Sequence, residues 1–381
     1  MLHSRLSGGI GFLVFVSALG GTLWLAVVSS AWPMTIGNAR PFEELAERQP
    51  ALARSALQAA VRLNRRDSAA WMALGLAAER DGAMDQAADC FLQAEKVDRQ
   101  YLPAWTSANF FFRRSNDPQF WRAAARSAAM SYDDLAPLIE LSDYREPNAI
   151  AALGRLGESA RLEQAYLRFL MGRSRWQEAE GVAARLSSRG NQGDRELLLN
   201  FIDRLIAANQ GDAALAAWNR LPQLPASERA GRGMLIHRDF PAQPSGHGFD
   251  WRVREPPRGW ARWAPSKLEF RLAESTPDAC IMLGQWVVLD PGRYRLRFVY
   301  GTAGLAAETG LRWALLQGGR AVASSAVLAQ APPGSSPRNA AVWNVRVAGG
   351  LYDLSLIYSR VPGTIHREGL AVLTFASLEM P

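Results

Sequence analysis

Apolar positions recur every 34 residues through the first half of the chain and every second residue through much of the last third. Trp71 and Trp105 keep the 34-residue step, as do the series Ala53, Ala87, Trp121; Leu57, Phe91, Ala125; and Ala60, Ala94, Ala128. A step of this length predicts helix-turn-helix units that bury their apolar faces only against neighbouring units. The clearest unit runs from Ser68 to Tyr101. Asp67 or Ser68 caps its first helix, whose inner face is Trp71, Leu74, Gly75 and Ala78; Gly82 breaks the chain; a second helix buries Ala87, Phe91 and Ala94. The next unit, 102–132, carries Trp105, Trp121 and Ala125. A pair over 162–190 carries Tyr166, Phe169, Ala179 and Ala183, and another over 195–221 carries Leu198, Phe201, Leu205, Gly211, Ala214 and Trp218. Between them, 133–156 is irregular, contains Pro137 and Pro147, and reads as a degenerate repeat.

Helical periodicity stops near Pro222, and residues 223–248, rich in Pro, Gly and Ser, read as a linker. After Phe249 the pattern predicts strands at 268–272, 281–289, 294–300, 311–316, 341–347, 351–359 and 370–380. In YRLRFVY, Tyr294, Leu296, Phe298 and Tyr300 face one way and Arg295, Arg297 and Val299 the other, as in a half-buried strand. Asp290-Pro291-Gly292 and Ala348-Gly349-Gly350 supply turns. Many short strands without a helical interruption imply an antiparallel sandwich over 249–381.

One further segment changes the picture. Residues 10–28, IGFLVFVSALGGTLWLAVV, carry no charge and are about long enough to cross a bilayer core. Ser29-Ser30-Ala31 offers a cleavage point for a signal peptide, but the apolar run exceeds the usual length of one and favours an uncleaved anchor. Arg5 precedes it, which puts the N-terminus inside a bacterial inner membrane and residues 32–381 on the extracytoplasmic side. The expected layout is thus 1–33 N-terminus and anchor, 34–50 linker, 51–222 helical repeats, 223–248 linker and 249–381 sandwich. The formal charge of +7 includes 41 arginines and only Lys96 and Lys267 as lysines, a bias that reflects genomic base composition. Basic residues are dispersed among acids with no basic block, so no nucleic-acid partner is expected. Cys90 and Cys280 lie in different expected domains, and Cys90 reads as a buried thiol.

The series Trp71, Leu74-Gly75, Ala78, Ala87, Phe91, Ala94 closely resembles the tetratricopeptide-repeat pattern, with Arg99 where that family usually has proline. The resemblance extends over 50–222, weaker outside this unit, and Asn109 replaces the close-packing glycine of the next one. It implies a groove on the first helix of each pair that takes a protein segment, with Met72, Glu79, Thr106 and Arg113 as candidates. The C-terminal part resembles jelly-roll carbohydrate-binding modules through FDWRV at 249–253, QWVVLDPGRYRLRF at 285–298 and a late LIYSR strand. That resemblance implies a glycan ligand. Trp260 and Trp263, in the loop-like EPPRGWARWAP with Arg258 and Arg262, are the candidates, because exposed rings stack on sugar C–H faces. Trp286, Trp313 and Trp343 lie within strand patterns and read as core.

Catalytic patterns are missing. His3, His237, His247 and His366 show no metal-ligand spacing, and no nucleophile elbow, P-loop or dinucleotide glycine pattern occurs, so no metal or cofactor is expected. His237 and His247 read as solvated. Asp250, Glu255, Glu269, Glu274 and Asp278 are the carboxylates a glycosidase would have to draw on. The expectation is a non-enzymatic, membrane-anchored envelope adaptor: repeats dock a protein and the sandwich binds a glycan in surface-polysaccharide assembly or export. The alternatives are a pure protein–protein scaffold and a carboxylate-dependent glycan hydrolase.

Overall fold

The computed structural model describes residues 40–49, 52–131, 134–241, 243–254, 260–273, 276–304, 310–328, 339–360 and 369–381. They form two compact units that divide after Leu162. The first is entirely helical: α1 Arg40–Arg48, α2 Ala53–Leu63, α3 Ser68–Arg80, α4 Met84–Val97, α5 Tyr101–Arg113, α6 Asp117–Met130, α7 Ala136–Arg145 and α8 Ala149–Leu156. Local chemistry sets their ends. Asp67 accepts the Ala70 amide at 3.0 Å at the start of α3, and Asn148 does the same for Ala151 at the start of α8. Gly75 is a packing requirement: a Cβ there would lie 2.8 Å from Cε1 of Phe91, which is fully buried.

Two expectations change in this unit. The stretch 34–50 is not all linker, since α1 occupies Arg40–Arg48 and rests Phe42 and Ala46 on the core of α2 and α3. Pro41 does not prevent this, because the first helical turn has no amide partner to lose. The irregular 133–156 stretch is a helix pair of 10 and 8 residues, shorter than its neighbours. Pro137 falls in the first turn of α7 and Pro147 between the helices, so both fit.

The second unit holds α9 Ala160–Gly172 (from Glu163 onward), α10 Trp176–Ser188, α11 Arg195–Ala207 and α12 Gly211–Asn219, followed by ten strands. Glu163 is the fourth residue of α9, as Trp71 is of α3. It is fully buried and joins α9 to α10 through Arg189 at 2.8 Å and Arg185 at 3.1 Å. Burial raises its pKa, but hydrogen bonds from Arg189 and Arg185 outweigh that and hold it below the usual carboxylate value. A depressed pKa stabilises the fold fully above the unfolded value and is lost as pH falls through the folded one. Melting curves of the native chain and Glu163→Gln should therefore converge below about pH 4; a constant gap down to strong acid would refute the pairing.

The strands are β1 Arg252–Val253, β2 Ala261–Ala264, β3 Lys267–Leu272, β4 Ala279–Leu289, β5 Gly292–Ala303, β6 Arg312–Gln317, β7 Arg320–Ser324, β8 Asn339–Val347, β9 Gly350–Ser359 and β10 Gly369–Glu379. They form two antiparallel five-stranded sheets, ordered β1-β4-β9-β6-β7 and β2-β3-β10-β5-β8. Between the sheets lie Trp251, Phe270, Phe298, Trp313, Leu354, Leu356 and their neighbours. The seven predicted strands are present; β1, β2 and β7 are additions.

The outer face of the first sheet is covered. A Cβ on Gly211, at the start of α12, would lie 3.1 Å from Cβ of Leu351 and 3.3 Å from Cγ2 of Val288. Asp353 and Ser355, on the same side as Trp286, are buried, and Arg254 Nη2 reaches Asp353 at 2.7 Å. The expected boundary at 222 consequently falls inside this unit. Residues 223–248 are also no solvated linker: Leu235 and Phe240 enter the sandwich core, and the Gly233 amide bonds Val288 O at 2.8 Å. Asp203 of α11 receives the Gly248 amide at 2.9 Å, His247 Nδ1 at 2.6 Å and Arg252 at 2.5 Å. Residues 10–28 lie outside the described residues, among which no helix is long and apolar enough to cross a membrane.

Candidate functional site

Four groove candidates lie in the first unit, on α3 and α5. Glu79 and Arg113, 34 residues apart, hold each other at 2.9 Å, with Arg114 at 3.5 Å. Their charges are thus spent between successive repeats. Thr106 Oγ1 donates to Leu102 O at 2.9 Å, one turn back on its own helix, and Met72 is half-buried.

A cleft with two guanidinium groups unpaired among the described residues lies on the corresponding helices of the second unit; its Gln164 amide donates to the buried Asp194. α9 and α11 line a cavity of about 480 Å³. Gln164 and Arg168 come from α9 at i, i+4, and Asn200 and Arg204 from α11 at i, i+4, so each wall carries an amide one turn before a guanidinium. Met171 and Leu197 add apolar lining, and Glu196, one turn before Asn200, is the acid of the lining. Arg168 and Arg204 have no ion-pair partner among the described residues. The Asn200 amide suits a peptide backbone and the guanidinium forks suit carboxylates, so the walls suit an extended segment. The signal for this site was a matched Gln-x-x-x-Arg and Asn-x-x-x-Arg one repeat apart.

The sandwich candidates separate. Trp260 is 5% exposed and packs edge-on against Phe270, with ring centroids 5.8 Å apart. Trp263 is half-buried against the core and lies 5.7 Å from the Phe240 ring. The exposed-loop premise fails for both: Trp260, just before β2, is buried against Phe270, and ARWA is strand β2, in which Ala261 and Trp263 face the interior opposite Phe270 and Leu268. Arg262, between them, points outward and is exposed. Arg258 lies outside the described residues. Trp313 is core, Trp343 half-buried against it, and Trp286 lies on the opposite side of its sheet, under Arg254 at 5.8 Å.

Both described histidines meet carboxylates: His247 is exposed, as expected, with Nδ1 2.6 Å from Asp203, whereas His237 is half-buried and departs from the solvated reading. His237 Nδ1 meets Asp250 Oδ1 at 2.7 Å, and the same carboxylate accepts the Trp251 amide, the Ser245 amide and Ser245 Oγ. The Asp250 hydrogen bond, opposed by partial burial, raises the His237 pKa above the ordinary imidazole value. Serine, aspartate and histidine meet here with the carboxylate in the middle. Ser245 donates to Asp250 rather than to the imidazole, so the order that activates a nucleophile is not made. Among the other carboxylates, Glu269 pairs with Lys267 at 2.6 Å and Asp278 with Arg360 at 2.6 Å, while Glu255 and Glu274 lie outside the described residues. His3 and His366 lie outside them too. Among the described residues no group of three His, Cys, Asp or Glu could hold a metal ion. Cys90 and Cys280 are both buried, and burial pushes the Cys90 thiol up to about 11.

The chain matches no protein-family model and no curated protein. Its class therefore rests on its architecture, helical hairpins followed by an antiparallel two-sheet sandwich.

Proposed function

We propose that the protein is a non-enzymatic envelope adaptor, anchored through residues 10–28, whose helical hairpins act as a tetratricopeptide-like scaffold and whose sandwich acts as a glycan-binding domain of the jelly-roll kind. Surface-polysaccharide assembly or export would use both ends of such a molecule. The observation that carries the reading is the α9–α11 cleft, where Arg168 and Arg204 line the two walls without ion partners among the described residues. A partner's segment binds there, rather than at Glu79 and Arg113, whose charges already serve the scaffold. Asp250 supports binding over hydrolysis, because its oxygens are engaged in holding a loop.

Photocrosslinking in the native envelope tests this. A photoreactive residue replacing Leu197 in the full chain should give one discrete protein adduct. Arg168→Glu with Arg204→Glu should remove that adduct while stability changes by only about 0.5 kcal/mol, as for ordinary surface positions. No adduct, or an adduct indifferent to the two reversals, would sink the cleft as the docking site.

A further inference from the structure

The outer face of the β2-β3-β10-β5-β8 sheet is strongly basic. Interior positions on these strands are fixed by Trp263, Phe270, Leu296, Val345 and Leu378. Alternation then turns Arg262, Lys267 and Arg271 of β2 and β3 outward. On β5 and β8 it turns Arg293, Arg295, Arg297 and Arg346 outward. The acids the same register places here are Glu269 and Glu379, which pair with Lys267 at 2.6 Å and Arg297 at 2.8 Å. Arg271, Arg293 and Arg346 are exposed without an ion partner among the described residues. Arg293 and Arg346 also stand directly opposite each other, a like-charge cross-strand pair that works against the sheet.

We infer that this face binds an acidic polysaccharide, a linear chain bearing carboxylates, resting on the reading of the sandwich as a glycan-binding domain. Outward side chains on such a sheet are spaced about 5–7 Å apart along and across strands, which suits a polymer with one charge per sugar. Guanidinium forks bind carboxylates in pairs of hydrogen bonds. Neutral sugars and unpaired bases bind by stacking on exposed rings. Here Trp263 and Trp343 turn to the core, and Phe375, opposite Val299, is half-buried. Val342 is the only large apolar side chain more than half exposed on the described parts of these strands, too little to enter a bilayer.

The test is retention of the full chain on polygalacturonate and on neutral dextran, with soluble competitors. The native chain should be held by polygalacturonate, decreasingly as salt rises, and not by dextran. Arg293→Glu with Arg271→Glu should weaken retention at least tenfold. Arg346→Glu alone should weaken it while raising the melting temperature, because it turns the like-charge pair into an opposite one. Retention unchanged in these variants would overturn the site. Retention on dextran alone would overturn the acidic class and leave the glycan reading standing; retention on neither would overturn both. Release by oligothymidylate or phosphatidylglycerol vesicles at lower charge concentration than by galacturonate oligomers would also overturn the inference, in favour of those polyanions.

Discussion

Asp250→Ala is expected to destabilise the sandwich-bearing unit by about 3–5 kcal/mol, the range for removing one partner of a buried charged pair. Asp250 is 3% exposed, and its carboxylate receives two backbone amides, a hydroxyl and His237. Alanine leaves those donors without their acceptor, and hydrogen bonds to a charged group contribute about 1.5–3 kcal/mol each. Asp250→Asn retains a carbonyl acceptor and should lose less. The urea midpoint reads both; a loss under about 1 kcal/mol for alanine would show that the loop holds itself. The linkage with pH has a definite sign. Because folding raises the His237 pKa, its contribution is complete below the unfolded value of about 6.5 and disappears as pH rises through the folded one. Stability of the native chain should thus decline above neutrality, and Asp250→Ala should flatten that decline.

Gly248→Ala should cost about 2–4 kcal/mol, from added bulk in a filled site together with a left-handed backbone. Gly248 has a φ of +56°, and a Cβ there would lie 2.3 Å from Cε3 of Trp218. That ring cannot step aside: it is 1% exposed, and its indole N–H donates to Glu228 O at 2.9 Å. Gly190 provides the comparison, with φ +68° and nothing within 4 Å of the place a Cβ would take. Gly190→Ala should show only the backbone component, about 1–2 kcal/mol. Equal melting temperatures for the two variants would mean that the Trp218 contact has no weight.

Much of the fold was legible because it repeats. The 34-residue series reports positions that are buried at Ala53, Leu57, Ala60, Ala87, Phe91, Ala94 and Trp121 and half-buried at Trp71 and Trp105, and alternation in YRLRFVY reports one strand with two unlike faces. What stayed hidden was either short or distant. β2 is four residues following EPPRGW, so proline and glycine masked an alternation in which Ala261 and Trp263 face inward. The basic sheet face was invisible to a search for consecutive charges, because Arg293 and Arg346 meet only through strand register. Asp203 and His247 are 44 residues apart, and nothing in either neighbourhood announces the other. Helical position put Glu79 and Arg113 on matching first helices, but did not show that they would pair with each other.

The covering of Val288 and Leu351 by the start of α12 also constrains how this chain can be inherited. Repeats are gained and lost by duplication and deletion, and a scaffold tolerates that where each unit touches only its own kind. Loss of α11 and α12 would instead strip an apolar sheet surface and remove the carboxylate that holds His247, Gly248 and Arg252. The last hairpin, α11 and α12, and the sandwich therefore have to be inherited together.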